Sequence, residues 1–85
     1  MIRKEITIEL SKGLEARPVA VFVQVASQYE CSVFVEYREK RVNAKSIMGM
    51  MSLGIAQGEK VVVVADGPDE KEAVQGIEKY LTVGE

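Results

Sequence analysis

The chain has no histidine. With no imidazole it lacks the one side chain that ordinarily titrates near neutral pH. It also lacks the commonest metal ligand and the commonest acid–base and nucleophilic group of enzymes. Cysteine occurs once, at Cys31. A single thiol makes no disulfide within the chain and no cysteine zinc site, so Cys31 reads as a small buried or half-buried core residue. No apolar run reaches the ~18 residues that a membrane span requires. The N-terminus shows no signal-peptide core, so a cytosolic protein is expected. A basic excess is missing too. Eleven Lys and Arg against 13 Asp and Glu leave a net charge of −2, which argues against direct contact with nucleic acid and against polybasic membrane binding. There is no glycine-rich nucleotide loop, no evident nucleophile–base pair, no internal repeat and no linker. No cofactor and no metal are expected, and the chain reads as a non-enzyme.

What is present reads as one domain, residues 1–85. Apolar residues are 47% and charged residues 28% of its 85 residues, an ordinary globular balance. A chain this short buries only ~60–65% of its unfolded surface. Ile2 to Leu10 alternates, with Ile6, Ile8 and Leu10 on one face, and predicts a half-buried strand. Ser11-Lys12-Gly13 breaks it. Pro18 sits where the first turn of a helix tolerates proline, and Val19, Phe22, Val23 and Ala26 follow a helical period to about Gln28. Val33, Val35 and Tyr37 alternate with Phe34, Glu36 and Arg38 in a second strand. A polar turn near Arg38-Glu39-Lys40 returns to a third, ending near Val42. Ser46 to Leu53 predicts a short helix stopped by Gly54 as its C-terminal cap. Lys60 to Ala65 is a valine-rich strand, and Asp66-Gly67-Pro68 a turn. Asp69 with Glu72 reads as a capping box for a last helix with Ala73, Val74, Ile77, Tyr80 and Leu81 on its apolar stripe. The order is βαββαβα. The expected fold is α+β: an open-faced sandwich, with a four-stranded antiparallel sheet and three helices on one face. The other face is left to solvent. Phe34, Val62 and Val64 should project from it and promote weak self-association, with exchange of the first strand about Ser11-Lys12-Gly13 as the alternative route.

Two segments carry chemistry. Gly13-Leu14-Glu15-Ala16-Arg17-Pro18 leads into the first helix. Asn43-Ala44-Lys45-Ser46-Ile47-Met48-Gly49-Met50-Met51-Ser52-Leu53-Gly54 spans the second. Together, and over essentially the whole chain, they resemble the HPr family, the histidine-containing phosphocarriers of the sugar phosphotransferase system. The likeness is greatest to the Crh-type, catabolite-repression branch of Gram-positive bacteria, which has glutamine in place of the histidine. The family carries phosphate on the imidazole of a Gly-(Ile/Leu)-His-Ala-Arg-Pro motif. Arg17 and Pro18 match that motif, and Glu15 stands where the histidine belongs. Three readings of Glu15 are open: a solvated replacement for a lost catalyst, a fixed-charge mimic of phosphohistidine beside Arg17, or a carboxylate phosphoryl acceptor.

Ser46 reads on its own as an N-cap. The resemblance implies more: that Ser46 is the serine phosphorylated by an ATP-dependent HPr kinase/phosphorylase. Ile47, Met48 and Met51 recur at i, i+1 and i+4 in a helix too short to bury them all. Methionine is soft and suits a docking patch, although such a stripe is more often core. By resemblance these three, with Glu15 and Arg17, belong to the partner-binding face. The implied function is a regulator of carbon catabolite repression that docks, once phosphorylated, on a LacI-type catabolite control repressor. The rivals are a phosphocarrier, whether an engineered histidine-to-glutamate variant or a natural divergent member, and a modulator of metabolic enzymes acting through the same helix.

Overall fold

The computed structural model describes residues 1–83. Four strands and three helices follow one another as β1 (Ile2–Thr7), α1 (Ala16–Ser27), β2 (Ser32–Tyr37), β3 (Lys40–Asn43), α2 (Ile47–Met51), β4 (Lys60–Asp66) and α3 (Glu70–Val83). The strands form one antiparallel sheet in the order β1-β4-β2-β3. The helices cover one face of it, which makes the α+β open-faced sandwich that the alternation predicts. Between sheet and helices lies one apolar cluster. The strands contribute Ile6, Val33, Val35, Val61, Val63 and Ala65, and α1 contributes Val19, Phe22, Val23 and Ala26 at helical spacing.

The first strand is shorter than its alternation suggests. Pairing with β4 stops at Thr7. Ile8 and Leu10 are nonetheless buried, because loop and helix take over the backbone bonding. The Ile8 amide donates to the Glu59 carbonyl at 2.8 Å, Gly58 donates to Ile8 at 2.7 Å, and the Glu9 amide donates to Leu81 near the end of α3 at 2.9 Å. Two further expectations change. Gly54 is not the cap of α2: Ser52 is, in right-handed conformation, and Gly54 (φ 59°) turns the chain two residues later. Nor does the Asp69 side chain cap α3, although its carbonyl accepts the first helical bond, from Ala73 at 3.0 Å. The Gly67 amide donates to Glu70 Oε1 at 3.1 Å, so the reciprocal bond of a capping box joins 67 and 70. Asp69 instead reaches across to the start of β2. Its carboxylate accepts from the amides of Glu30 at 2.8 Å and Cys31 at 2.9 Å. Those amides have no ladder partner where the chain enters β2, and Asp69 satisfies them.

The solvent face also departs from expectation. Phe34 lies opposite Val64, and Glu36 opposite Val62, so Phe34, Val62 and Val64 do share that face. But Val64 is only 1% exposed, and Phe34 and Val62 are half-buried. The Arg41 guanidinium sits 4.4 Å above the Phe34 ring, a cation–π contact. Arg3 makes two bonds to the Glu36 carboxylate, at 3.1 and 2.7 Å, and Arg41 approaches the same carboxylate at 3.7 Å. Long charged side chains thus lie over the apolar row, and Val64 offers no surface for self-association.

The Asp69 bridge predicts a pH dependence. Accepting from the Glu30 amide, and also from Cys31, holds the Asp69 carboxyl below its ordinary value. A depressed folded-state value contributes stability above the unfolded pKa of ~3.9 and loses it as pH falls through the folded value. Asp69→Asn should therefore destabilise most near neutrality. Its deficit against wild type, read by urea unfolding, should shrink as the pH is lowered below about 4. A deficit independent of pH would show that the carboxylate charge is not what holds the junction.

Candidate functional site

Both motifs end up at helix starts, and α1 and α2 pack against each other. Leu14 forms an isolated antiparallel bridge with Ile55, its amide donating to the Ile55 carbonyl at 2.8 Å. Gly13 allows the approach: with φ 65°, a Cβ there would lie 2.5 Å from that carbonyl oxygen. The chain then turns at Glu15 (φ −97°, ψ −166°), the N-cap residue of α1. Its carbonyl accepts from Val19 at 2.7 Å, but its side chain makes no capping bond. Glu15 and Arg17 are both exposed, and among the described residues neither belongs to an ion pair. The carboxylate therefore stands at the positive end of α1 without an arginine clamp. It borders a shallow groove with Lys12, Ile55 and Gln57. Arg17 and Lys12 rim a separate hollow of about 310 Å³ floored by Leu10, Pro18, Val21 and Tyr80.

The second helix start is capped. Ser46 is extended (φ −106°, ψ 115°), and its Oγ accepts from the Gly49 amide at 3.1 Å. A side chain on Gly49 would crowd this bond, since its Cβ would sit 3.3 Å from Ser46 Oγ and 3.4 Å from Val42. Asn43 Oδ1 accepts from the Lys45 amide at 2.8 Å, an Asx turn that leads the chain into the cap. Lys45 Nζ donates to the Tyr29 carbonyl at 2.7 Å, tying the loop before Ser46 to the end of α1. Ser46 itself is half-buried.

Five helical residues present two different sides. Met50 is fully buried, whereas Ile47, Met48 and Met51 are 47%, 85% and 50% exposed. The i, i+1, i+4 residues thus face solvent together, and Met50 anchors the helix to the core.

One supporting contact gives no sign of itself in the sequence. Glu59 accepts from the Tyr37 hydroxyl, from the Ala56 amide at 3.0 Å and from Arg38 at 3.4 Å. The Tyr37 bond, with the Ala56 amide, holds the Glu59 carboxyl below its usual range, and the same bond raises the phenol. This clamp closes the loop that carries Ile55, and so fixes Leu14 and the turn at Glu15. Tyr37 and Glu59 are 22 residues apart, so no local spacing announces the pair.

The family model described as PTS HPr component phosphorylation site matches residues 2–82. The chain belongs to the HPr family. It is similar to the HPr-like protein Crh of Bacillus subtilis, with 44% identity over 81 residues and 95% of each chain covered. Among solved structures it resembles HPr-C-His from Thermoanaerobacter tengcongensis, with TM-score 0.94, 45% identity, and 99% of this chain and 94% of that one covered. It also resembles B. subtilis Crh in a form described as a domain-swapped dimer, with TM-score 0.78, 43% identity, and 99% and 97% covered. Within the HPr fold of this chain, the first motif keeps its helix start, Arg17 and Pro18 around a carboxylate. The second keeps a capped serine beside an exposed methionine patch.

The two sides of α2 predict opposite mutational costs. Met50→Ala should destabilise by ~2–5 kcal/mol as a core truncation. Met48→Ala should stay within ~0.5 kcal/mol of wild type. Urea unfolding of both variants checks this, and a comparable loss at Met48 would place that side chain in the core.

Proposed function

We propose that this HPr-family protein is a non-enzymatic, Crh-like regulator of carbon catabolite repression, switched by phosphorylation of Ser46. The observation that carries this is the contrast between the two helix starts. One has a glutamate where the family's phosphohistidine stands. The other presents an intact seryl cap next to exposed Ile47, Met48 and Met51. An ATP-dependent HPr kinase/phosphorylase is the proposed modifying enzyme, and a LacI-type catabolite control repressor the proposed target. The regulator itself touches neither DNA nor membrane. No helix of the described residues is long and apolar enough to cross a membrane, and the cytoplasm, where both partners would work, is the proposed location.

The physical steps are few. Phosphate on Ser46 Oγ adds about −1.5 to −2 charge and three acceptor oxygens at the amide end of α2. A negative group is accommodated there, so the domain keeps its fold. What changes is the surface: a dianion now flanks an apolar anchor, with Arg17 as a fixed cation on the adjoining helix. Arginines on the repressor supply the complementary charge, and the Met48 and Met51 side chains enter its apolar pocket. Glu15 keeps the place of the lost acceptor and takes no phosphate from the phosphotransferase chain.

Self-association is proposed through strand exchange, not through the sheet face. B. subtilis Crh is described as swapped, and T. tengcongensis HPr and B. subtilis Crh each as a dimer. In the present chain β1 pairs with its own β4 at an edge of the sheet. Ser11-Lys12-Gly13 follows it as the segment that would open.

Three measurements test the proposal. Incubation with ATP and the HPr kinase/phosphorylase should add one phosphate to the intact mass, and none to Ser46→Ala. The phosphorylated form should bind the repressor about tenfold or more tightly than the unmodified one, more than 1.4 kcal/mol and above the ~1 kcal/mol of a helix cap. Labelled phosphoenolpyruvate with the first phosphotransferase enzyme should leave the chain unlabelled, and Glu15→His should gain label. Label on the native chain that passes to sugar-specific components would make it a carrier. Equal repressor affinity of the two forms would remove the switch.

A further inference from the structure

The sulfur atoms of this chain are distributed unevenly. Met50 is fully buried, while Met48 and Met51 are 85% and 50% exposed. They lie three residues apart, so they share one side of α2. Met1 is also exposed, but it precedes β1, at the opposite sheet edge from the β3 strand on which α2 packs. Cys31 is 1% exposed. Burial, first, and then Asp69 push its thiol up to about 11, so it stays protonated and unreactive toward oxidants near neutral pH. Apart from the chain start, the oxidisable sulfur that solvent reaches is concentrated beside Ser46. An exposed thioether on a docking surface has a chemical consequence that Ile47, equally apolar, does not have.

We propose that Met48 and Met51 form an oxidation-sensitive modification site, where a hydroperoxide converts the thioethers to sulfoxides and weakens docking. The functional half of this rests on the docking reading above. In the reaction a sulfur lone pair attacks the distal peroxide oxygen. The S–O bond forms as the O–O bond breaks. The thioether loses two electrons, and the peroxide, taking the proton of the transferred oxygen onto its leaving oxygen, departs as water or an alcohol. The product is a polar, chiral side chain with a strong acceptor oxygen. Burying it in a partner's apolar pocket leaves that acceptor unpaired and desolvated. The fold is spared because Met50, which holds α2 to the core, is shielded. Methionine sulfoxide reductases reverse the change, so this surface is switched by oxidant independently of the Ser46 phosphate.

The test uses the full phosphorylated chain and hydrogen peroxide. Peptide mapping by mass should show oxygen added at Met48 and Met51 well before Met50, with the thermal transition retained. Affinity for the repressor should fall about tenfold, as for loss of an interface anchor, and return after treatment with the two reductases. A Met48→Leu, Met51→Leu double variant, whatever its starting affinity, should show the same affinity before and after peroxide even though Met1 still oxidises. Oxidation of Met50 at a similar rate overturns the proposed selectivity. Unchanged binding after Met48 and Met51 are oxidised, or an equal loss in the double variant, overturns the switch. A phosphorylated chain that fails to bind before any peroxide is added overturns the docking reading itself, and the release function with it.

Discussion

The sheet has enough helix to cover one face only. Its buried strand residues, from Ile6 to Ala65, meet α1, α2 and α3 in a single apolar cluster, and among the described residues no second layer lies on the other side. Much else follows from that one-sided burial. The uncovered face cannot be made wholly polar, since β4 is valine-rich and β2 carries Phe34. It is covered by its own long side chains instead. Arg41 lies over Phe34 and Arg3 grips Glu36, so charge and aliphatic stem replace a helix as cover. An apolar row of Phe34, Val62 and Val64 is thereby tolerated on that face without becoming an adhesive surface.

The same limit shapes the side that carries α2. At five residues α2 has room to bury one methionine, Met50, and leaves Ile47, Met48 and Met51 outside. For a protein that only had to fold, an exposed apolar trio would be a liability. Here it lies next to a serine whose hydroxyl already sits on the helix cap, which is why the proposed docking face is placed there. The two helix starts differ in their caps. At α1 the backbone geometry of an anion site remains but the side chain there is itself an anion. At α2 the cap bond from Gly49 to Ser46 holds the hydroxyl at the end of the helix where negative charge is favourable.

Long-range carboxylates hold these pieces in place. Asp69 satisfies two amides at the entry to β2, and Glu59 draws Tyr37, Arg38 and the Ala56 amide together. Each ties a loop to an element distant in sequence. The Glu59 clamp supports the Ile55 bridge and so the conformation at Glu15, and Lys45 on the Tyr29 carbonyl links the Ser46 loop to the end of α1. The candidate site is therefore positioned by polar contacts that lie outside both motifs.

Element type, order and the apolar sets of α1 and α3 were legible in the sequence, because burial on one side imposes a period: two in the strands, 3.6 in Val19, Phe22, Val23 and Ala26. The absence of histidine was equally legible, as were the glutamate at the start of α1 and the serine at the start of α2. What only the tertiary structure decided depends on contacts between distant residues. Alternation showed that Phe34, Val62 and Val64 share a face, but it could not show that Arg3, Glu36 and Arg41 close over that face and bury Val64. Spacing suggested Asp69 and Glu72 as a capping box, but the unpaired amides of Glu30 and Cys31 drew Asp69 away and left the reciprocal bond to Gly67 and Glu70. Local pattern records which way a side chain points along its own element; what meets it there is set by the rest of the fold.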